Sequence, residues 1–276
     1  MQRKDIMIEP EQLLGRINDP NLRVFDAKIE FYIGMSPEEA AKMPSAREQY
    51  LAAHIPGAAF FDHQLFSDPI SEYEYMLAPD HMLAKKIGEI GISSDSEVVV
   101  YAPHIVANAT RAWWLLRYAG VENVRILDGG LASWQAVGGE LESGESKYEP
   151  ATFKAKFNKS MFASMKEVQA ASEQPQVVVQ NALPQEWHDR EHIPGSHCLS
   201  IMNLDGDWER LPPQEELAAR IPDADPGTRI ITYCGGGIAA TVNAVAYLLM
   251  GHENVAVYDG SLFEWMGEGQ PVEKSE

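Results

Sequence analysis

The chain has 276 residues, of which 45% are hydrophobic and 23% charged, a composition typical of a folded protein with one large or two smaller domains. Its formal net charge of −19 would repel nucleic-acid phosphates and anionic lipid, which argues against both as partners. No run approaches the roughly 18 apolar residues of a membrane span, and the N-terminus is charged where a secretion signal would be apolar. We therefore expect a cytoplasmic protein that does not associate with membranes.

In chain order, the first half contains a turn sequence, HIPG, at 54–57 and a strand-like apolar run, EVVVYA, at 97–102. A helical pattern, ATRAWWLLRYAG, follows at 109–120, and a second strand-like run, NVRILD, lies at 123–128. Continuous apolar runs separated by helical patterns are typical of a mainly parallel sheet with helices on both faces. The first half is therefore predicted to be an α/β domain.

The second half repeats this order. HIPG recurs at 192–195, the helical pattern recurs as AATVNAVAYLLMG at 239–251, and strand-like runs lie at 175–180, 229–234 and 254–259. Each match lies about 130 residues after its partner, which is the signature of a duplicated domain.

A polar run with Gly and Pro, ELESGESKYEPATF at 140–153, separates the two copies. We place the boundary near residue 146, which gives domains at 1–146 and 147–276.

The two cysteines, Cys198 and Cys234, are too few for a disulfide framework or a cysteine-based metal site. We expect reduced thiols, no metal and no cofactor. Cys198 lies in an extended apolar stretch without neighbouring glycines and is expected to be inert, although an exchange role with Cys234 stays open.

Cys234 lies in the run IITYCGGGIAAT, where a predicted strand ends and a predicted helix begins, the usual ligand-binding edge of an α/β domain. Three successive glycines let the backbone turn several N–H groups toward one atom. Such donors, with the positive end of the next helix behind them, favour a reactive thiolate over an inert buried thiol. The loop donors in this hypothesis are Gly235, Gly236, Gly237, Ile238 and Ala239.

Two chemistries use a cysteine in such a loop. A phosphatase of the C-x-x-x-x-x-R type needs an arginine to hold the phosphate oxygens, and Ala240 occupies that position. A Cys-dependent phosphatase is therefore disfavoured, and the small loop fits a single sulfur atom carried on Cys234 as a persulfide.

The double copy, the two HIPG turns, the DGG…W and DGS…W motifs that begin at Asp128 and Asp259, and the CGGG loop resemble a tandem-domain rhodanese-type sulfurtransferase over nearly the whole chain. The resemblance implies that a donor gives a sulfane sulfur to Cys234 and that a thiol or cyanide acceptor removes it. It also implies that the first copy, where Ala102 aligns with Cys234, is a structural partner that walls the active-site cleft.

The donor is implied by the residues after the cysteine. Thiosulfate-preferring members have basic residues where this chain has Gly235 and Gly236, whereas members that use 3-mercaptopyruvate carry C-G-S-G. The chain lacks that serine at Gly236 and the usual threonine at Ala239, so 3-mercaptopyruvate is favoured on a partial match. A thioredoxin-like protein is one candidate for the thiol that accepts the sulfur. The alternative is a rhodanese-like binding, regulatory or sulfur-carrier module that has lost turnover.

Two further residues are candidates for substrate binding. His54 belongs to a turn present in both copies, which favours a structural role for it and for His192, but in the family its copy faces the cleft. Arg190 precedes the second HIPG and is either a forked partner for a donor carboxylate or a solvated arginine. The Asp-x-Arg that relatives show at the end of a strand is replaced in the second copy by Asn181 and Leu183.

The motif aspartates and the tryptophans are expected to be structural. Asp128 and Asp259 should bond nearby backbone within their turns. Core or domain-interface positions are expected for Trp113, Trp114, Trp134 and Trp265.

Overall fold

A computed structural model describes residues 1–30, 36–40, 42–204 and 208–275. They form two α/β units in tandem, each built on a parallel sheet of five strands. The strands of the first sheet are β1 (Met7–Ile8), β2 (Leu22–Asp26), β3 (Ala59–Phe60), β4 (Glu97–Tyr101) and β5 (Val124–Leu127). Those of the second are β6 (Phe162–Ala163), β7 (Val177–Asn181), β8 (His197–Cys198), β9 (Arg229–Tyr233) and β10 (Val255–Tyr258).

Both sheets have the same strand order. It is β1-β5-β4-β2-β3 in the first and β6-β10-β9-β7-β8 in the second. Every neighbouring pair runs parallel. The predicted duplication of one α/β domain is therefore confirmed.

Helices surround both sheets. In the first copy they are α1 (Arg3–Ile6), α2 (Pro10–Leu14), α3 (Pro37–Ala40), α4 (Ala46–Ala52), α5 (Asp80–Glu89), α6 (Val106–Ala119) and α7 (Gly130–Ala136). In the second they are α8 (Met165–Ala171), α9 (Gln185–Arg190), α10 (Ile201–Leu204), α11 (Gln214–Arg220), α12 (Ala240–Leu249) and α13 (Ser261–Gly267). Short 3₁₀ helices lie at His63–Phe66 and Lys159–Met161. Within the described ranges, no helix combines the length and the apolar character needed to cross a membrane.

The central strands are buried on both faces because their side chains alternate between two apolar clusters. In β4, Val98 and Val100 join the cluster that contains α6. Val99 and Tyr101 join the cluster on the opposite face, with Leu13 of α2. Helices therefore cover both faces of the sheet, as the apolar runs predicted.

The two copies meet along α6 and α12, which belong to one continuous hydrophobic cluster. All ten residues of α12 are buried. Trp113 and Trp114 of α6 lie in this shared core, whereas Trp134 and Trp265 are buried within their own copies, so the expected core positions of the tryptophans are confirmed.

The connection between β5 and β6 packs back on the first copy. Its backbone N–H groups at Ala151 and Lys156 donate to Gly88 O (2.8 Å) and Ala119 O (2.9 Å). The boundary near residue 146 falls inside this connection and stays a prediction.

Candidate active site

Cys234 is the residue after β9, and its loop leads into α12. The residue is buried, with 3% of its surface exposed. Its N–H donates to Ser261 Oγ (3.1 Å), and its carbonyl accepts from Leu262 N (3.0 Å). Phe263 N also donates to Gly235 O (2.9 Å). These bonds fix the start of the loop against the first turn of α13.

Five backbone N–H groups follow Cys234 in the loop, and none of them has a hydrogen-bond acceptor among the residues that the structure describes. They belong to Gly235, Gly236, Gly237, Ile238 and Ala239. Gly235 and Gly237 are themselves buried. Buried N–H groups are nearly always paired, so a run of unpaired donors directly after a thiol is an arrangement suited to an anion. The N-terminus of the ten-residue helix α12 adds its partial positive charge to the same place.

The three glycines of the loop are present for different structural reasons. Gly237 has φ +77°, and a Cβ there would overlap the carbonyl oxygen of Asp259, so only glycine fits. A Cβ on Gly235 or Gly236 would lie 3.0 or 3.4 Å from the ring of Phe263. The lack of side chains at Gly235 and Gly236 therefore leaves room for the ring of Phe263, which lies over the loop. Phe263 as a whole residue is 59% exposed.

The first copy reaches the loop through Arg111 of α6, a side chain that is only 3% exposed. Its Nη1 donates to Asp259 Oδ1 (2.5 Å) and Gly237 O (3.3 Å), and its Nη2 donates to Tyr75 O (2.7 Å). Asp259 Oδ2 accepts from Leu77 N (2.6 Å). Both carboxylate oxygens of Asp259 are thus bound by the other copy.

The expectation that Asp259 and Asp128 bond backbone within their own turns is wrong. Asp128 Oδ2 accepts from Arg3 Nη2 (2.8 Å). Both turns lie where the two copies meet, and there an arginine supplies a charge-assisted hydrogen bond that is stronger than a bond to a neutral turn amide.

His54 is completely buried, with Nδ1 2.8 Å from Tyr50 O and Nε2 3.2 Å from Glu142 Oε1. His192 repeats the pattern, with Nδ1 2.7 Å from His188 O. Since both ring nitrogens of His54 are occupied within its own copy, these contacts favour the turn-holding role and argue against substrate binding.

The HIPG turns are also tied to the tyrosine that ends each central strand. Ile55 N donates to Tyr101 Oη (3.1 Å), and Ile193 N donates to Tyr233 Oη (3.0 Å). Burial raises the pKa of Tyr233 to about 12, so its hydroxyl stays neutral and the turn stays attached to the residue before Cys234.

Arg190 ends α9 and is exposed, and no ion pair joins it to any described residue. Cys198 Sγ lies 3.5 Å from Leu183 O, and burial raises the pKa of this thiol, which disfavours its thiolate. Asn181 holds its own turn, since Oδ1 accepts from Leu183 N (2.9 Å) and Nδ2 lies 3.0 Å from His188 Nδ1.

Sequence reasoning missed Arg111 and Phe263. Arg111 carried a usable signal, because it is one of two charged residues in the largely apolar helical pattern at 109–120 and lies in its first turn. Phe263 carried none, since its contact with the glycines depends on how α13 packs. Across the described residues, no group of three or more His, Cys, Asp or Glu is placed to hold a metal ion.

Comparison with known proteins gives a family for this geometry. The Rhodanese-like domain family matches residues 9–137 and 164–268. The thiosulfate sulfurtransferase of Bos taurus is 34% identical over 269 residues, which cover 91% of this chain and 87% of the relative. The 3-mercaptopyruvate sulfurtransferase of Escherichia coli K12 is 32% identical, with 95% of each chain covered.

A solved structure agrees. The crystal structure of SseA from Escherichia coli, described among 3-mercaptopyruvate sulfotransferases, superimposes with a TM-score of 0.83 at 31% identity, covering 95% of this chain and 99% of that one. Since the family match includes the central strands of both sheets and these relatives align over most of their length, the chain belongs to the rhodanese family and is a tandem-domain sulfurtransferase.

Proposed function

We propose that the protein moves a sulfane sulfur from a small-molecule donor to a thiol or cyanide acceptor through a persulfide on Cys234. The observation that carries this proposal is the run of unpaired N–H groups from Gly235 to Ala239, which directly follows the thiol. These donors would hold the negative charge on Cys234 and on the terminal sulfur of its persulfide.

The reaction with 3-mercaptopyruvate balances without a cofactor. The Cys234 thiolate attacks the donor sulfur, an S–S bond forms, and the C–S bond breaks with its electron pair left on carbon, beside the keto group that delocalises it. The donor's thiol proton ends on that carbon and gives pyruvate. An acceptor thiolate then attacks the terminal sulfur, leaves as its own persulfide and restores the Cys234 thiolate.

We prefer 3-mercaptopyruvate to thiosulfate as the donor. Thiosulfate carries two negative charges, but Gly235 and Gly236 stand directly after the cysteine, and the guanidinium of Arg111 is buried and already neutralised by Asp259. A singly charged carboxylate donor demands less positive charge from the site. The relatives named above include sulfurtransferases of both names.

The first copy acts as a structural partner in this proposal, because Ala102 stands where the second copy has Cys234. We assign the reaction to the cytoplasm, where reduced thiols and thioredoxin-like acceptors are at hand. Arg190 remains a candidate contact for the donor carboxylate because its side chain is exposed.

The test is to incubate the protein with 3-mercaptopyruvate, thiosulfate or glutathione persulfide and measure the intact mass. Wild type and the matched control Cys198→Ala should each gain one sulfur atom, which cyanide or dithiothreitol removes, whereas Cys234→Ala should gain none. Pyruvate release measured in parallel gives the donor preference. The absence of an adduct with every donor would overturn the proposal.

A second candidate is a sulfur carrier or regulatory module. The 3% exposure of Cys234 and the ring of Phe263 over its loop favour it, because both restrict the access of an acceptor. Persulfide formation without transfer to cyanide, small thiols or a reduced thioredoxin would select this function over turnover.

A further inference from the structure

Arg111 connects three separate chain segments around the thiol. Its guanidinium binds the side chain of Asp259, the carbonyl of Gly237 inside the loop and the carbonyl of Tyr75 in the first copy. A guanidinium presents its N–H groups in a rigid plane, so these three acceptors are fixed relative to one another.

The bond to Gly237 O controls an N–H group of the loop. In a trans peptide, the carbonyl oxygen and the following N–H point in opposite directions. No peptide bond in the described chain is cis. Holding Gly237 O toward α6 therefore turns the N–H of Ile238 away from α6, and that N–H is one of the donors left without an acceptor.

Asp259 extends this control to the rest of the loop. A Cβ on Gly237 would lie 3.1 Å from Asp259 Oδ1, so the carboxylate lies directly against the backbone of that glycine. Ser261, two residues later, receives the N–H of Cys234 itself (3.1 Å). A shift of the Asp259 turn would thus move both ends of the sulfur site.

We propose that Arg111, supplied by the copy without the thiol, is a positioning residue that holds the Gly237 peptide and the Asp259 turn so that the loop N–H groups face Cys234. The proposal rests on the proposed sulfur chemistry at Cys234 and adds what the first copy contributes to it. Arg111 does not touch the reacting sulfur and acts through the loop.

The chain contains a matched control. Arg3 binds Asp128, the counterpart of Asp259, and its guanidinium also donates to Leu211 O and Pro212 O at 2.8 Å each. Like Arg111, it bonds one motif aspartate and two carbonyls and so connects the two copies, although here the aspartate belongs to its own copy. Asp128 lies in the first copy, where Ala102 stands in place of the thiol.

The experiment compares Arg111→Lys with Arg3→Lys. Each variant keeps its positive charge and loses the planar fork. Urea unfolding gives stability, and iodoacetamide alkylation of Cys234 from pH 5 to 9 (about the range in which a cysteine titrates) reports the thiolate without any sulfur donor. Steady-state kinetics with 3-mercaptopyruvate separates kcat from KM. Asp259→Asn, with Asp128→Asn as its control, provides a second pair if Arg111→Lys is poorly folded.

We expect both lysine variants to lose similar stability, but only Arg111→Lys to need a higher pH for half-maximal alkylation and to lose about tenfold or more in kcat with little change in KM. A wild-type alkylation profile in both Arg111→Lys and Asp259→Asn, or an equal change in the Arg3 and Asp128 controls, would overturn the proposal. Because alkylation needs no donor, this comparison decides the role of Arg111 even if wild type forms no persulfide, an outcome that would instead refute the proposed function.

Discussion

The hydroxyl oxygens of Thr110 and Thr241 lie 2.7 Å apart in the buried contact between α6 and α12. Each is also within reach of a carbonyl in its own chain segment, Ala107 O (3.0 Å) and Ile238 O (2.7 Å). The two threonines are equivalent positions of the two copies, so this hydrogen bond joins corresponding residues of the duplicated fold.

Replacing either threonine by valine should destabilise the protein, because the remaining hydroxyl keeps only the carbonyl of its own segment and loses the buried hydrogen bond to the other copy. We expect each single variant to cost about 1–2 kcal/mol in free energy of unfolding and the double variant to cost less than the sum. Urea unfolding measures all three. The control is the double variant Thr110→Val with Thr232→Val, whose costs should add, because the Thr232 hydroxyl bonds Ala240 O within the second copy. If the costs at Thr110 and Thr241 also added, the two hydroxyls would not be coupled.

Alanine at Gly237 should abolish the loop geometry, because φ is +77° there and a Cβ would overlap Asp259 O. We expect a loss of about 1–3 kcal/mol in stability and most of the sulfur-transfer rate. Gly236→Ala is the matched control, because its φ is ordinary and its Cβ would lie 3.4 Å from the ring of Phe263. Equal activities of the two variants would show that the Gly237 backbone is not required.

Serine at Gly236 should fit after a small movement of the Phe263 ring. Its hydroxyl would provide a proton-handling group beside Cys234, which the breaking C–S bond of 3-mercaptopyruvate needs and thiosulfate does not. We expect the ratio of kcat/KM for 3-mercaptopyruvate to that for thiosulfate to rise about tenfold. The assay is steady-state turnover with both donors and one acceptor, and Gly236→Ala is the steric control. An unchanged ratio of kcat/KM would show that a hydroxyl at this position does not determine donor choice.

His63 should make stability depend on pH. Burial lowers the pKa of its imidazole from 6.5 to about 3, and its Nε2 lies 2.9 Å from Ala27 O. Below pH 6.5, His63 binds a proton in the unfolded chain but stays neutral in the folded chain. The free energy of unfolding therefore falls as pH falls toward 3, by at most about 1.4 kcal/mol per pH unit.

The measurement is urea unfolding from about pH 7.5, where His63 contributes no slope, down to about pH 5, where the slope is expected. His63→Gln should reduce the slope of stability against pH, and His81→Gln, at an exposed position, serves as the control. The same slope in wild type and His63→Gln would mean that His63 is protonated in the folded protein.

The sequence predicted the loop and, among the described strands, five of the six that are longer than two residues, because each carries a strong local pattern; β2 was not predicted. The strand-like runs at 97–102 and 229–234 became β4 and β9, and the repeat alone revealed two copies. The outer strands β1, β3, β6 and β8 have two residues each and so cannot show a period.

The side-chain contacts that build the site could not be predicted from local sequence patterns. Asp259 was interpreted from its turn motif alone, yet its partners Arg111 and Leu77 come from the other copy, more than a hundred residues away in sequence. A turn motif specifies backbone shape, whereas the partner of its side chain depends on how separate elements dock. The glycines illustrate the same limit, since their fit to Phe263 becomes visible only when α13 is in place.

The shared core of α6 and α12 also has a consequence for synthesis. On the ribosome, α6 is complete about 130 residues before α12, a delay of roughly ten seconds at ordinary elongation rates. During that interval the face of α6 that α12 will later cover stays exposed to solvent on the nascent first copy. The newborn chain should therefore be a client of ribosome-associated chaperones until its last quarter emerges, and slowing translation should lengthen that dependence.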